Sequence, residues 1–313
     1  MRDTITPDLT ISIVNSNNRS LLEPCLRSIY EGTKETAFEI IVTDNCSEDG
    51  SVDVVRDKFP GVQLILNTGR KGFSTNHNRA MCEARGRWIV LLNDDTVVLP
   101  GCFDRMANFI KGHSDIGVLG CKILNPDMSL QRSCYRLPTL SVLFFDTFFL
   151  SSIFSGVTYI GGYKRWDHNA VREVPFVSGA AMMFPRDVIE RAGYLDERFY
   201  TYSEDADLCK RVREAGWKVV FFPEAQIIHY GGGAAQVEGY SAFDNFHRSQ
   251  ILYFRKHYGL YSIPLVYLLD LVGAFFRLPI FTIIYILIPS MRERCKERIS
   301  FFRRRILWYL GIK

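Results

Sequence analysis

Short apolar runs alternate with segments of helical spacing over the first hundred residues of the chain. The apolar runs are rich in β-branched residues and end in polar ones, which is typical of buried strands. The predicted strands are Leu9–Asn17, Phe38–Asp44, Val62–Asn67 and Arg87–Val98, and the predicted helices are Ser20–Tyr30, Ser51–Phe59 and Ser74–Ala84. Strands and helices that alternate at this spacing predict an α/β domain with a mainly parallel central sheet flanked by helices.

Polar side chains follow three of these strands, at the point where each strand ends. They are Asn15, Asp44 with Asn45, and the run Asn93–Asp95. Ligands of parallel sheets bind outside the carboxyl ends of the strands, where these residues are expected to meet. Polar residues often end strands for other reasons, but three such ends in sequence favour a binding site.

The pattern is less regular after residue 115. Residues Asp115–Ile160 contain prolines and many aromatic side chains. Beyond them, Val174–Gly193 predicts a strand and a short helix, Trp217–Gly233 predicts two short strands ending at His229 and a glycine run, and Phe243–Gly259 predicts a helix.

The composition changes at Leu260. Residues Ile263–Pro289 are almost wholly apolar, interrupted by Asp270 and Arg277, and the longest charge-free piece, Leu278–Met291, has 14 residues. A spanning helix needs about 18 or more uninterrupted apolar residues, so helices lying in a membrane interface are favoured over a spanning one. The alternative is a C-terminal helix packed on the core or on the partner in a homodimer.

The positive charge of the chain lies in the same region. The net charge is +4, but residues 292–313 hold eight Lys or Arg and two Glu, a net of +6, which leaves −2 for the remainder. A basic segment beside an apolar one suits anionic lipid headgroups. The mildly acidic remainder argues against a nucleic-acid partner.

The cysteines and the first residues indicate a cytoplasmic protein. None of the eight cysteines forms a C-x-x-C pair, which fits reduced thiols better than disulfides or a zinc site. The first residues lack the apolar stretch of a signal peptide. With the C-terminal pattern, this predicts a cytoplasmic protein, peripheral on the inner face of the cell membrane.

Two groups of titratable residues are candidates for chemistry. Adjacent carboxylates at Asp94 and Asp95 can hold Mg²⁺ or Mn²⁺ with substrate phosphate oxygens completing the shell, and His229 is a suitable further ligand. The acids of the stretch SEDAD, residues 203–207, crowd into a predicted helix start beside two tyrosines. The helix dipole favours such acids by about 0.3–1 kcal/mol each, which explains one or two of them but not three.

Four stretches together resemble family 2 glycosyltransferases of the GT-A fold. They are IIVTDNCSEDGS, NTGRKGFSTNHNRA, WIVLLNDDTVV and GYLDERFYTYSEDADLCKRVREAGWKVVFFPEAQIIHYGGG, in order between about Leu9 and Gly259. The chain is most similar to bacterial rhamnosyltransferases of cell-surface polysaccharide synthesis, through HRSQILYFRKHYG and the apolar, basic C-terminus. The resemblance implies an inverting, metal-dependent transfer of a sugar from a nucleoside diphosphate, with dTDP-rhamnose favoured, to a saccharide acceptor. The apolar C-terminus makes a lipid-linked acceptor the expected one.

The resemblance also implies roles for residues on the nucleotide side. Asp44 would accept a hydrogen bond from a pyrimidine base, in a pocket that Asn15 and Ser16 also line. Arg70 and Lys71 would approach the nucleotide or its diphosphate.

The remaining roles concern the sugar, the metal and the proton. Asp94 would face the ribose or the sugar, and Ser178 and Gly179 would lie near the donor sugar. Asp95 would bind the metal with help from His229. Asn93 stands where the family motif has a first acid, which leaves fewer carboxylates for the metal.

The acidic helix start divides by role under the same resemblance. Asp205 is at the position of the catalytic base, which takes the proton of the acceptor hydroxyl. Glu204 would orient hydroxyls beside it, and Asp207 is expected to be structural. The chain then divides into a GT-A catalytic domain over 1–259, with a nucleotide-binding half at about 1–120 and an acceptor half at about 121–259, and a helical membrane-association segment over 260–313.

Two other functions compete with this one. A sugar nucleotidyltransferase usually carries a Gly-rich loop with a basic residue after its first strand, whereas Asn15–Glu23 contains no glycine. A non-catalytic membrane scaffold on the same fold is disfavoured by the intact set of Asp95, Asp205 and His229.

Overall fold

The chain divides into two compact units. The computed structural model describes residues 6–157, 162–163, 166–231 and 242–311, so Gly232 and Gly233 of the predicted glycine run lie outside the described residues. One unit comprises Met1–Leu137 and Asp167–Gln250, and the other comprises Pro138–Trp166 and Ile251–Lys313. The described residues between 138 and 166 thus belong to the same unit as the C-terminal helices, while the functional division at residue 259 stays a prediction.

The strands of the described residues belong to the first unit. They are β1 (Leu9–Asn15), β2 (Phe38–Asp44), β3 (Gln63–Leu66), β4 (Trp88–Asn93), β5 (Thr96–Val98), β6 (Ile116–Leu124), β7 (Leu130–Gln131), β8 (Cys134–Tyr135), β9 (Arg172–Glu173), β10 (Phe176–Val177), β11 (Ala181–Pro185) and β12 (Lys218–His229). The main sheet has the order β3-β2-β1-β4-β11-β6-β12-β5, with β7 beside β6 and β9 beside β12. Its half from β3 to β4 is parallel, as is the pair β6 and β12, and β11 runs antiparallel between the two parts.

Helices connect these strands and form most of the second unit. They are α1 (Arg19–Gly32), α2 (Ser51–Lys58), α3 (Phe73–Glu83), α4 (Cys102–Lys111), α5 (Leu140–Thr147), α6 (Leu150–Ile153), α7 (Arg186–Ala192), α8 (Glu204–Glu214), α9 (Ala242–Tyr258), α10 (Ser262–Leu287) and α11 (Arg292–Tyr309). A 3₁₀ turn, Pro289–Met291, joins the last two. The predicted α/β architecture is confirmed.

The register of the parallel strands brings their polar ends to one edge. Asn15 of β1 is level with Asp44 of β2, and Val14 of β1 is level with Asn93 of β4. The apolar interiors of β1, β2 and β4 are buried; Ile11 and Ile13 of β1, for example, are 0% exposed. A one-residue slip would turn every one of these side chains to the opposite face, so core packing itself holds the polar ends in line.

Strand β12 differs from its prediction. The sequence predicts two short strands, but the structure has one strand of 12 residues. Its pairing with β6 shifts register between Phe222 and Gln226, around Pro223. Proline has no N–H to donate, so the ladder is interrupted there without ending the strand. The strand therefore continues and delivers His229 to the edge.

The second unit is built around an antiparallel helix pair, α10 and α11. The Phe281 and Phe302 rings stack with centroids 5.7 Å apart. Asp270 is 2% exposed and accepts hydrogen bonds from Arg305 Nη1 at 3.2 Å and from the Tyr309 hydroxyl at 2.5 Å. These donors compensate a buried charge that would otherwise be strongly destabilising.

Helix α10 has 26 residues, and by length and composition it is able to cross a membrane, with a mean hydropathy of 1.8 and 17% of the apolar window buried. Pro279 lies inside it without ending it. At 1.5 Å per residue the helix is about 39 Å long. The predicted interfacial helices therefore include one that has the dimensions of a spanning segment.

Candidate active site

The ends of β1 and β2 form a polar cluster centred on Asn15. Its Nδ2 donates to Asp44 Oδ1 and to Ser47 Oγ, both at 2.9 Å. Asp44 Oδ2 accepts from the Ser47 backbone N–H, also at 2.9 Å. Both Asp44 oxygens are thus engaged, whereas in the part of the chain that the structure describes the buried Asn15 Oδ1 and Ser16 Oγ have no hydrogen-bond partner. Buried polar atoms are normally paired, so these two suit a polar ligand.

The loop that carries Arg70 and Lys71 is held by Asn45. Asn45 Oδ1 accepts from the Lys71 N–H at 2.8 Å, and Asn45 Nδ2 donates to the Lys71 carbonyl at 3.0 Å. Asn67 Nδ2 donates to the same Asn45 oxygen at 3.0 Å. The backbone of the loop is therefore fixed while the side chains of Arg70 and Lys71 are exposed. This arrangement can present two cations to an anionic ligand.

The turn after β4 carries two buried carboxylates. Asp94 is 5% exposed and Asp95 is 3% exposed. Burial, reinforced by the charge of Asp95, raises the pKa of the Asp94 carboxyl to about 7. The Thr96 hydroxyl donates to the Asn93 carbonyl at 2.8 Å and closes the turn.

His229 meets this turn from the end of β12. Its Nε2 lies 3.2 Å from Asp95 Oδ1 and 3.2 Å from Asn93 Nδ2. Within the described residues no group of three or more His, Cys, Asp or Glu side chains is arranged to hold a metal. One carboxylate and one imidazole do fit a divalent cation whose other ligands are diphosphate and water oxygens, since Mg²⁺ and Mn²⁺ sites of this kind use few protein ligands.

Asp205 lies against Gly179 at the other side of this edge. Gly179 N–H donates to Asp205 Oδ2 at 3.2 Å, and the Ala206 N–H donates to Oδ1 at 2.7 Å. Burial raises the pKa of Asp205, and these two donors oppose part of the rise. A Cβ added at Gly179 would meet Asp205 Cβ at 3.6 Å, an ordinary contact, so the protein itself does not require glycine here. Ser178 is half-buried, and its Oγ accepts from the Ala180 N–H at 3.3 Å.

The two parts of the site are joined by the β4–β11 ladder. Asn93 N–H donates to the Ala180 carbonyl at 3.0 Å, and Ala181 pairs with Leu92. Asp205 contacts Gly179, and Gly179 precedes Ala180, the hydrogen-bond partner of Asn93. The structure brings together Asp95 with His229, Asn15 with Asp44, and Gly179 with Asp205.

Glu204 and Asp207 flank Asp205 in different surroundings. Glu204 is 6% exposed, and burial together with the charge of Asp205 holds its pKa well above the usual range. Asp207 is fully buried and bonded to Arg211 Nε at 2.9 Å. Arg211 also donates to the Gly193 carbonyl at 2.7 Å and the Tyr194 carbonyl at 2.8 Å. Asp207 thus belongs to a contact that anchors α8, in keeping with the structural role expected of it.

The residues before α8 supply contacts that the sequence did not reveal. Tyr202 and Ser203 have φ values of 69° and 68°, two consecutive left-handed residues with side chains, which is a strained arrangement. The Tyr200 carbonyl accepts from the Phe73 N–H at 2.6 Å. Gly72 makes this approach possible, because a Cβ there would lie 2.6 Å from Tyr200 O.

Gln131 of β7 is a second residue that sequence reasoning missed. Its Oε1 lies 2.6 Å from His229 Nδ1. The two residues are 98 positions apart, and β7 has only two residues, too short to produce a periodic pattern.

The chain is similar in sequence to known glycosyltransferases. The profile of the family described as Glycosyl transferase family 2 matches residues 10–193, more than half of the chain. The N-acetylglucosaminyl-diphospho-decaprenol L-rhamnosyltransferase of Mycobacterium tuberculosis is 26% identical over 269 residues, covering 78% of this chain and 83% of that protein.

Solved structures support the fold. The mannosyltransferase PcManGT from Pyrobaculum calidifontis, in complex with GDP-Man and Mn²⁺, has a TM-score of 0.54 at 18% identity, covering 97% of this chain and 88% of that one. GalNAc-T7 with UDP, GalNAc and Mn²⁺ has a TM-score of 0.58 at 16% identity, covering 84% of this chain and 52% of that one. The fold is therefore that of the GT-A glycosyltransferases. The chain belongs to glycosyl transferase family 2.

Proposed function

We propose that this enzyme transfers a sugar, with rhamnose favoured, from a nucleoside-diphosphate sugar to a hydroxyl of a lipid-linked saccharide, with inversion at the anomeric carbon and with a divalent cation. The mycobacterial relative is named for an L-rhamnosyl transfer to a polyprenyl-linked N-acetylglucosamine, which supports this donor and acceptor class. The observation that supports this reaction type is the Gly179–Asp205 hydrogen bond. Gly179 precedes Ala180, whose carbonyl accepts from the Asn93 N–H at the end of β4, and Asp94 and Asp95 follow Asn93 directly.

The donor is bound along the carboxyl edge of the sheet. Asn15 Oδ1 and Ser16 Oγ, which lack partners among the described residues, suit a pyrimidine base, with dTDP favoured. Asp44 orients Asn15 and, because a carboxylate oxygen can accept more than one hydrogen bond, also accepts one from the base. The exposed cations of Arg70 and Lys71 attract the diphosphate. Asp94 faces the ribose or sugar, and Ser178 and Gly179 lie near the donor sugar, which can approach the backbone closely because Gly179 has no side chain.

Asp205 takes the proton of the acceptor hydroxyl. As that oxygen attacks the anomeric carbon, its proton moves to the Asp205 carboxylate and the bond between that carbon and the diphosphate oxygen breaks on the opposite face. A raised pKa makes Asp205 a stronger base. Glu204, whose pKa is raised by burial and by the charge of Asp205, hydrogen-bonds hydroxyls beside the base.

Asp95 and His229 are the residues that would hold the cation. When bound, Mg²⁺ or Mn²⁺ supplies positive charge against the diphosphate that leaves. His229 Nε2 lies 3.2 Å from Asp95 Oδ1, a separation that suits one ion bound by both atoms.

The Asp205→Asn variant tests the proposed base. Asparagine keeps the size of the side chain but takes no proton at neutral pH, so transfer should fall by about 10²-fold or more while nucleotide binding persists. Product formation and nucleoside-diphosphate affinity are measured on the same preparation. The matched control is Asp187→Asn, at an exposed position in the first turn of α7, which should leave both unchanged.

Other outcomes would favour other functions. Transfer by Asp205→Asn at the wild-type rate would refute the base assignment. A panel of nucleotide sugars, with dTDP-rhamnose among them, identifies the donor by cation-dependent release of the nucleoside diphosphate. Formation of a nucleotide sugar from a nucleoside triphosphate would indicate a nucleotidyltransferase, and absence of cation-dependent nucleotide binding by the wild type would indicate a scaffold.

A further inference from the structure

Gln131 contacts the ring and the backbone of His229 at once. Its Oε1 lies 2.6 Å from His229 Nδ1, and its Nε2 lies 3.1 Å from the His229 carbonyl oxygen. The same Nε2 lies 2.9 Å from Asn125 Oδ1. Three contacts from one amide group leave it little freedom to rotate.

Backbone carbonyls determine which way this amide points. A carbonyl oxygen only accepts, so the part of Gln131 that faces the His229 carbonyl is its NH₂ group. Asn125 is oriented in the same way, because its Nδ2 faces the Leu130 carbonyl at 3.5 Å and Ser129 Oγ at 2.8 Å. The Gln131 atom facing the imidazole is therefore the oxygen, and His229 Nδ1 must carry the hydrogen.

The opposite nitrogen of the ring then carries a lone pair. In a neutral imidazole, a hydrogen on Nδ1 leaves Nε2 as an acceptor. Asn93 Nδ2 and Asp95 Oδ1 each lie 3.2 Å from Nε2. The amide of Asn93 donates to Nε2, but the carboxylate oxygen and Nε2 are both acceptors. Two acceptors at this distance favour a cation that binds both of them.

We infer that Gln131 is a positioning residue of the cation site, which holds His229 as the Nδ1–H tautomer and so keeps the Nε2 lone pair turned toward Asp95. The inference rests on the proposed cation-dependent function. Without the Gln131 oxygen, the Nε2–H tautomer is stabilised by its hydrogen bond to the Asp95 carboxylate. In that tautomer Nε2 has no lone pair and cannot bind a cation. Hydrogen-bond partners of this kind commonly change metal affinity by about 10–100-fold.

Two substitutions separate the tautomer role from a bracing role. Gln131→Met removes both polar atoms at similar volume. Gln131→Glu keeps an acceptor for Nδ1–H but loses the donor to the His229 carbonyl. The matched control is Gln226→Met on β12, the strand of His229, where the side-chain amide donates to the Pro223 carbonyl at 3.4 Å.

The first measurement is the affinity for Mn²⁺ in the presence of dTDP, by electron paramagnetic resonance and without turnover. Gln131→Met should bind Mn²⁺ about 10–100-fold more weakly, whereas Gln131→Glu and Gln226→Met should stay near the wild type. The second is the ¹⁵N spectrum of His229, identified among the six histidines by its loss in His229→Asn. The wild type and Gln131→Glu should show the Nδ1–H tautomer, and Gln131→Met the Nε2–H tautomer.

Each outcome has one meaning. Equal losses of Mn²⁺ affinity in Gln131→Met and Gln131→Glu, with the tautomer unchanged, would overturn the inference and make Gln131 a brace for the strand. Wild-type affinity in Gln131→Met would overturn it as well. Failure of the wild type to bind Mn²⁺ with any nucleoside diphosphate would instead refute the proposed cation-dependent function.

Discussion

Glu204 and Asp205 are adjacent carboxylates that differ in the number of donors reaching them. Asp205 accepts from two backbone N–H groups, whereas Glu204 Oε2 is buried with no partner among the described residues. Of the two, Glu204 therefore keeps a proton to the higher pH. Neighbouring acids with separated pKa values can serve as a base and a neutral hydrogen-bonding group at the same pH.

Glu204→Gln should stabilise the protein at neutral pH. A carboxyl whose folded pKa is raised contributes stability that is complete below its unfolded pKa and is lost as pH rises through the folded value. Glutamine does not titrate, so the free energy of unfolding of the variant should fall less steeply than that of the wild type above about pH 4.5. At pH 7–8 it should be higher by about 1 kcal/mol. The measurement is urea unfolding across pH.

Glu214→Gln, at the exposed end of the same helix, is the control for this prediction. It should reproduce the pH dependence of the wild type. If Glu204→Gln and Glu214→Gln behave alike, ionisation of Glu204 does not affect stability. A stabilised but less active Glu204→Gln protein would support its role beside the base.

At the scale of elements, helix α3 and helix α8 begin where two loops touch. The contact depends on Gly72, because an added Cβ would lie 2.6 Å from the carbonyl oxygen and 2.8 Å from the Cα of Tyr200, which are backbone atoms. The Phe73–Tyr200 hydrogen bond joins the loop of Arg70 and Lys71 to the residues leading into Asp205. The loop that would bind the donor diphosphate and the segment that leads to the proposed base are thus held together by the contact between Gly72 and Tyr200.

Gly72→Ala should separate these two loops. The overlap should lower the free energy of unfolding by about 1–3 kcal/mol and raise KM for the nucleotide sugar. Gly179→Ala is the contrasting variant, since its Cβ meets only ordinary contacts and should change stability by less than about 0.5 kcal/mol. Loss of transfer in stable Gly179→Ala would support a sugar at Gly179, and unchanged stability in Gly72→Ala would refute the close approach.

The same scale shows what the sequence could and could not predict. Asn15, Asp44 and Asn93 were predicted to meet because each ends a parallel strand, and the register confirms that they are level or one position apart. Gln131 and the Gly72–Tyr200 contact left no local pattern, since each joins segments about a hundred residues apart. The sequence predicts two strands where β12 runs on past Pro223, because the continuation depends on pairing with β6.

For the whole molecule, charge and apolar surface concentrate on the C-terminal helix pair. Several large apolar side chains of α10 are exposed, such as Leu268 at 56%, Phe275 at 58% and Ile286 at 61%. Exposed arginines on α11 include Arg294 and Arg298. An apolar face next to basic residues is the composition expected of a protein bound to an anionic membrane, and it supports the sequence-based prediction of a peripheral location on the membrane.

Reversing two of these charges should weaken binding to anionic vesicles. Each basic residue near such a surface contributes about 1 kcal/mol, so the double variant Arg294→Glu/Arg298→Glu should bind about tenfold or more weakly. The charge-matched control is Arg56→Glu/Lys111→Glu, at exposed positions of α2 and α4. Flotation with phosphatidylglycerol vesicles measures both. Equal binding by the two variants would refute a basic docking face, and retention of the wild type at high salt would indicate a spanning α10.

The buried carboxylate of Asp270 has a consequence for the order of biosynthesis. Its donors, Arg305 and Tyr309, follow it by 35 and 39 residues, so α10 leaves the ribosome with a charge that nothing yet neutralises. The hairpin can close only after α11 has been made, and the chain must keep this segment hydrated until then. Any shortened version of the enzyme that ends before residue 305 would carry a stranded anion in its most apolar helix, and would be a poor measure of what the removed residues do.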